Sequence, residues 1–89
     1  MSGKTILYVE DNEPNRMIVR DLLKRTTYTL IEAYDGEAGV AMALERLPDL
    51  ILMDIQLPKI SGLEAIRRLR AEPATAATPI VAITSFALS

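Results

Sequence analysis

Three places in this chain put a chemically capable side chain directly after an apolar run. Residues 6–9 lead into Glu10, Asp11 and Asn12, residues 50–53 lead into Asp54, and residues 80–83 lead into Thr84. The chain has no His and no Cys. Thiol chemistry, disulfide scaffolding, zinc or haem ligation and imidazole acid, base or phosphocarrier chemistry are therefore excluded together. Any site must be made of oxygen ligands, which suit hard cations, Mg²⁺ above all when a phosphate is also present.

The elements that must position these groups follow from the hydropathy pattern. The runs at 6–9, 50–53 and 80–83 are continuously apolar instead of alternating, which predicts strands buried on both faces, as in a parallel sheet. A more mixed run at 29–33 suits an edge strand. A helix is expected from near Pro14, with Met17, Ile18, Val19, Leu22 and Leu23 on one broad face. A second follows Asp35 and Gly36, carries Ala38, Ala41, Met42 and Leu44, and stops at Pro48. A third follows Ser61 and Gly62 and repeats Leu63, Ile66 and Leu69. Residues 72–79, with two prolines, read as a connecting loop. Strands alternating with helices give an α/β domain with right-handed crossovers.

In such a sheet ligands bind at the carboxyl ends of the strands, where the winding reverses. If the first and third strands are neighbours, Glu10, Asp11 and Asp54 converge. Like charges so close raise one another's proton affinity unless a cation neutralises them. Asp11 or Asn12 could equally cap the following helix. Asp54 is harder to explain structurally, since a carboxylate closing an apolar strand needs a specific partner. Thr84 balances between an ordinary strand residue and a phosphate contact, and Arg67, Arg68 and Arg70 read as a solvated helix face. Gly3, Lys4 and Thr5 mimic the tail of a P-loop, but they lead into a strand where that loop needs a helix, and no earlier glycine precedes them.

The chain's 89 residues suffice for one small domain. Apolar residues make up 49% and the formal net charge is −2, so the basic excess of a protein that neutralises phosphates is missing and nucleic acid is not an expected direct partner. No stretch approaches the roughly 20 apolar residues of a membrane span, and the N-terminal residues lack the apolar core of a signal peptide. The expectation is a cytoplasmic protein without membrane contact.

Together these residues resemble the receiver domain of two-component response regulators. The resemblance is carried by Glu10 and Asp11 after the first strand, Asp54 ending the third, Pro58 and Gly62 four and eight residues beyond it, and Thr84 ending the fourth. VEDNEPN at 9–15 and LILMDIQLPKISGLE at 50–64 are especially similar to single-domain receivers of the DivK type. The resemblance implies a flavodoxin-like (CheY-like) doubly wound parallel sheet of strand order 2-1-3-4. It implies a phosphoacceptor switch in which Asp54 takes a phosphoryl group from a phosphohistidine on a sensor histidine kinase or a histidine phosphotransfer protein. Asp11, Asp54 and the backbone carbonyl of Gln56 would hold Mg²⁺, with Glu10 acting through water. Thr84 would contact the phosphoryl group and couple its arrival to the following loop, and the small Ser85 would leave access to the site.

Receivers of this family continue through a fifth strand bearing a lysine, an aromatic switch residue and a fifth helix, and this chain has none of these positions. The expectation is one receiver unit over residues 1–89, incomplete at its C-terminal end, that modifies its own Asp54 and is not an enzyme, with self-dephosphorylation open to it. A chain ending at Ser89 would expose the fourth strand's edge and one face of the central strands, and is expected to self-associate or stay partly unfolded. Two other readings compete. A non-catalytic receiver-like interaction module would show no labelling by acetyl phosphate. A Mg²⁺-dependent aspartyl phosphatase would need a general acid two residues after its nucleophile, where this chain has Gln56.

Overall fold

Each apolar run becomes a strand, and each of the first three strands is followed by a helix that a polar side chain caps. The computed structural model describes residues 3–83. In chain order the elements are β1 (Thr5–Val9), α1 (Glu13–Leu23), β2 (Thr29–Ala33), α2 (Gly36–Arg46), β3 (Leu50–Asp54), α3 (Gly62–Ala71) and β4 (Ile80–Ile83). Asn12, Asp35 and Ser61 accept from the backbone amides of Asn15, Ala38 and Glu64, satisfying donors that the first turn of each helix leaves free. Pro14 occupies the first turn of α1, where a missing N–H costs nothing. α2 ends on Leu47 in the left-handed conformation, one residue before Pro48.

All strands are parallel, in the order β2-β1-β3-β4, as expected. Strand alternation sends Leu7, Val9, Ile51 and Met53 into a core with Ala43 of α2 and Ala65 and Leu69 of α3. Tyr8 and Glu32, paired in register on β1 and β2, point to the other face, and α1 lies there with Arg20 held to Glu32 at 2.8 and 2.9 Å. The sheet is thus wound on both sides. Among the described residues β4 pairs only with β3, and its Val81 is exposed.

The helix faces agree with the expected ones only in part: Met42 of α2 and Ile66 and Leu69 of α3 pack on the core as expected, and other positions do not. Met17, Ile18 and Leu22 of α1 are exposed, and its one buried residue is Arg16. Arg16 and Arg20 of this helix both reach Glu32 on β2, and Val19 and Leu23 are half-buried. On α2 the buried residues are Gly36, Gly39 and Ala43, while Ala38 and Ala41 face solvent. A Cβ at residue 39 would approach the Val9 side chain to 2.7 Å, so the helix lies too close to β1 for a larger residue. On α3 Leu63 is exposed and Ala65 and Leu69 are buried. Arg67 and Arg68 pair with Glu64 on the solvent side, as expected of a solvated face. Arg70 instead reaches back to the carbonyls of Thr75, Ala76 and Thr78 and ties down the α3–β4 loop.

The tie between α1 and β2 has a pH signature. Hydrogen bonding by the Arg20 guanidinium holds the Glu32 carboxyl below its ordinary 4.5, against the opposing effect of its burial. A lowered folded pKa means stability that is present above the ordinary value and lost as pH falls through the folded one. Because Arg20 is partly exposed, Glu32→Gln should cost about 1 kcal/mol or less near neutral pH. Denaturant titrations of the two chains should converge as the pH falls below 4.5 and through the lowered Glu32 value; a gap of unchanged size in acid would show that the ion pair is not its source.

Candidate functional site

β1 and β3 are neighbours with Val9 opposite Met53, so the residues that follow them meet at the carboxyl edge of the sheet. Glu10 is 1% and Asp54 0% exposed, while Asp11 is open to solvent. One carboxylate oxygen from each of the three lies within 4.8 Å of the others. The convergence expected from the sequence is therefore present.

The hydrogen bonds divide these carboxylates. Asp54 Oδ1 accepts from the Gln56 amide at 3.1 Å, and Asp54 Oδ2 is buried without a partner. Glu10 Oε1 accepts from the Tyr8 hydroxyl and Oε2 from the Asn12 amide, both at 3.2 Å. Burial raises the Glu10 carboxyl above its ordinary 4.5, and the charge of Asp54 adds to the rise. Burial also pushes the Tyr8 phenol up, reinforced by the Glu10 charge, which keeps it a protonated donor. A buried oxygen with no donor, beside two more carboxylates, fits a hard divalent cation. The same donor set, without nitrogen or sulfur, does not suit softer metals.

The surrounding chain holds these groups in place. The Gly62 amide donates to the Ile55 carbonyl at 2.9 Å, and a Cβ at residue 62 would come within 2.0 Å of the Asp54 carbonyl oxygen. Only glycine lets α3 start this close to the end of β3. Lys59 takes up positive φ in the intervening turn and pairs with Asp35 at 3.6 Å. Behind the acidic turn, Arg16 donates to the Glu10 carbonyl at 2.8 Å, and its guanidinium lies 4.1 Å from the centre of the Tyr34 ring.

Sequence reasoning identified Glu10, Asp11 and Asp54, and the structure brings them together. It assigned Asn12 an alternative capping role, and Asn12 is indeed the cap of α1. Gln56 is placed by its amide on Asp54. Thr84 and Ser85 lie outside the described residues. Tyr8 and Arg16 were missed. Tyr8 stands two residues before Glu10, a strand spacing that shares a face, so its part in the site had a legible signal; Arg16 had none, because its target is a main-chain carbonyl.

Asp54→Asn should stabilise the chain in a metal-free buffer, since an amide removes a buried charge beside Glu10 and can donate a hydrogen bond. The expected gain is about 1–3 kcal/mol by denaturant titration, and Mg²⁺ should narrow it by stabilising the wild-type chain. A loss of stability in chelator would show that Asp54 is satisfied as it stands.

Comparison with known proteins agrees with this geometry. The response regulator receiver domain family matches residues 6–88. The polar-differentiation response regulator DivK of Brucella anthropi is 42% identical over 85 residues, 96% of this chain and 69% of that protein. The receiver domain of the sensor histidine kinase PA1611 from Pseudomonas aeruginosa superposes with a TM-score of 0.90 at 36% identity, over 99% of this chain and 72% of that one. That structure has a magnesium ion coordinated in its active site cleft. The Mn²⁺-bound form of response regulator Rcp1 gives 0.83 at 34% identity, over 92% of this chain and 66% of that one. This chain thus spans roughly two thirds of the length of these relatives. With its parallel 2-1-3-4 sheet and its acidic cluster at the sheet edge, the chain belongs to the response regulator receiver domain family of two-component systems.

Proposed function

We propose that residues 1–89 form one receiver unit in which Asp54 accepts a phosphoryl group from a phosphohistidine on a sensor histidine kinase or phosphotransfer protein. The observation that carries this reading is the Asp54 carboxylate itself, buried at the strand end with one oxygen held by the Gln56 amide and the other unpartnered. An Asp54 oxygen forms a bond to phosphorus as the bond from phosphorus to the donor's imidazole nitrogen breaks. The imidazole leaves with that electron pair and takes up a proton from water.

Asp11, Asp54 and the Gln56 carbonyl would hold Mg²⁺, with Glu10 acting through water. Bound there, the ion offsets the negative charge gathered around the transferred phosphoryl group. The Gln56 amide fixes the plane of the Asp54 carboxylate, and Gly62 lets the backbone of α3 pack against the residue that carries it. Thr84, next in sequence after β4, is assigned the phosphoryl contact from its place in the motif. Phosphoryl transfer onto the chain's own side chain makes it a switch and not an enzyme; self-dephosphorylation would be a separate step, in which a water oxygen bonds to phosphorus as the bond to the Asp54 carboxylate breaks and inorganic phosphate is released. Gln56 in place of a carboxylic acid speaks against the phosphatase reading. The reading includes a cytoplasmic location, as the resemblance to the receiver family implies; no helix among the described residues is long and apolar enough to cross a membrane. The reading includes self-association through the β4 edge, where Val81 is exposed, and light scattering from a monodisperse monomer would remove that part.

Incubation with acetyl phosphate and Mg²⁺ should add one phosphoryl group by intact mass, and Asp54→Asn should abolish the addition. Label persisting in that variant, or no label on the wild-type chain, would sink the phosphoacceptor reading, the latter in favour of a non-catalytic module. In metal titrations Asp11→Ala should weaken Mg²⁺ binding more than Glu10→Ala does, since a direct ligand costs more to lose than one acting through water. Equal effects would mean that the two roles are wrongly assigned.

A further inference from the structure

Both oxygens of Glu10 are already engaged inside the protein, Oε1 by the Tyr8 hydroxyl and Oε2 by the Asn12 amide. Tyr8 is 3% exposed, and a buried phenol requires a partner for its hydroxyl. The partner it has is the one carboxylate of the cluster with a long and rotatable stem. Repulsion from Asp54 favours rotamers that carry the Glu10 carboxylate away from the cluster, and several staggered rotamers are open to a glutamate. A donor fixed in the sheet selects against them. We propose that Tyr8 is a positioning residue whose hydroxyl holds the Glu10 carboxylate beside Asp11 and Asp54 and thereby sets the affinity of the site for a divalent cation.

This inference rests on the reading of Glu10, Asp11 and Asp54 as a Mg²⁺ site. At 3.2 Å the contact is longer than the roughly 2.5–3.0 Å usual for an O–H···O hydrogen bond, so it contributes to orientation more than to fold stability. Tyr8→Phe removes the hydroxyl and leaves the ring that fills the sheet face.

Calorimetric titration of the full chain with magnesium chloride tests the proposal in four forms: wild type, Tyr8→Phe, Glu10→Gln and the double variant. Tyr8→Phe should raise the Mg²⁺ dissociation constant about tenfold, with its metal-free thermal midpoint close to wild type. In the Glu10→Gln background the same substitution should leave the constant unchanged. An unaltered constant for Tyr8→Phe, while Asp11→Ala still weakens binding, overturns the positioning role alone. A tenfold effect that persists without the Glu10 carboxylate also overturns it, because the hydroxyl would then act through something else. A wild-type chain that binds no Mg²⁺ overturns the metal-site reading, and this inference with it.

Discussion

Pairing of β1 with β3 forces Glu10 and Asp54 together against their mutual repulsion, and most of the local structure bears on that conflict. Two unit charges up to 4.8 Å apart in an effective dielectric near 20 repel by about 3 kcal/mol or more. Both groups are also out of water, which penalises their charged forms further. The molecule meets the strain in two ways within its own covalent structure. Glu10 holds its proton more tightly than an ordinary carboxyl, and each of its oxygens takes a donor. Asp54 Oδ2 receives none, which leaves a demand for positive charge at the centre of the cluster.

That demand is tolerable only because the frame around it is rigid. Parallel strands in register end at one level, so the residues that follow them are brought to one edge without further design. At the same edge Asn12 and Asp35 open α1 and α2, and Ser61, the last of the seven residues between β3 and α3, opens α3. Gly62 allows α3 to begin against the Asp54 backbone, and Arg16 clamps the Glu10 carbonyl from the opposite side. The acidic turn is therefore held from β1, α1 and α3 at once.

The α1 face illustrates what a periodicity argument omits. Its apolar residues repeat at helical spacing, yet Ile18 and Leu22 are exposed and the helix is docked by Arg16 and Arg20 on Glu32. Amphipathic spacing tells which residues share a face; it does not tell which face the sheet receives. On α2 and α3 small residues share the contact with the larger ones, Gly39 against Val9 and Ala65 beside Leu69 in the core, because close helix–sheet approach rewards small side chains that a hydropathy count undervalues.

The amino-acid sequence by itself determined the order of strands and helices, the parallel sheet, and the identity of Glu10, Asp11 and Asp54 as the chemically informative residues. These are local properties: continuous apolar runs, caps and breakers, and carboxylates at strand ends, each readable from a few neighbouring positions. The lack of His and Cys also fixed the class of metal before any geometry was known. Tertiary structure alone decided which Asp54 oxygen is left without a donor and that Arg16 belongs to the site. Those facts depend on distances between residues far apart in the chain, or on a side chain choosing a main-chain partner. Spacing along a sequence does not encode either, because many packings of the same elements satisfy it until one sheet order is selected.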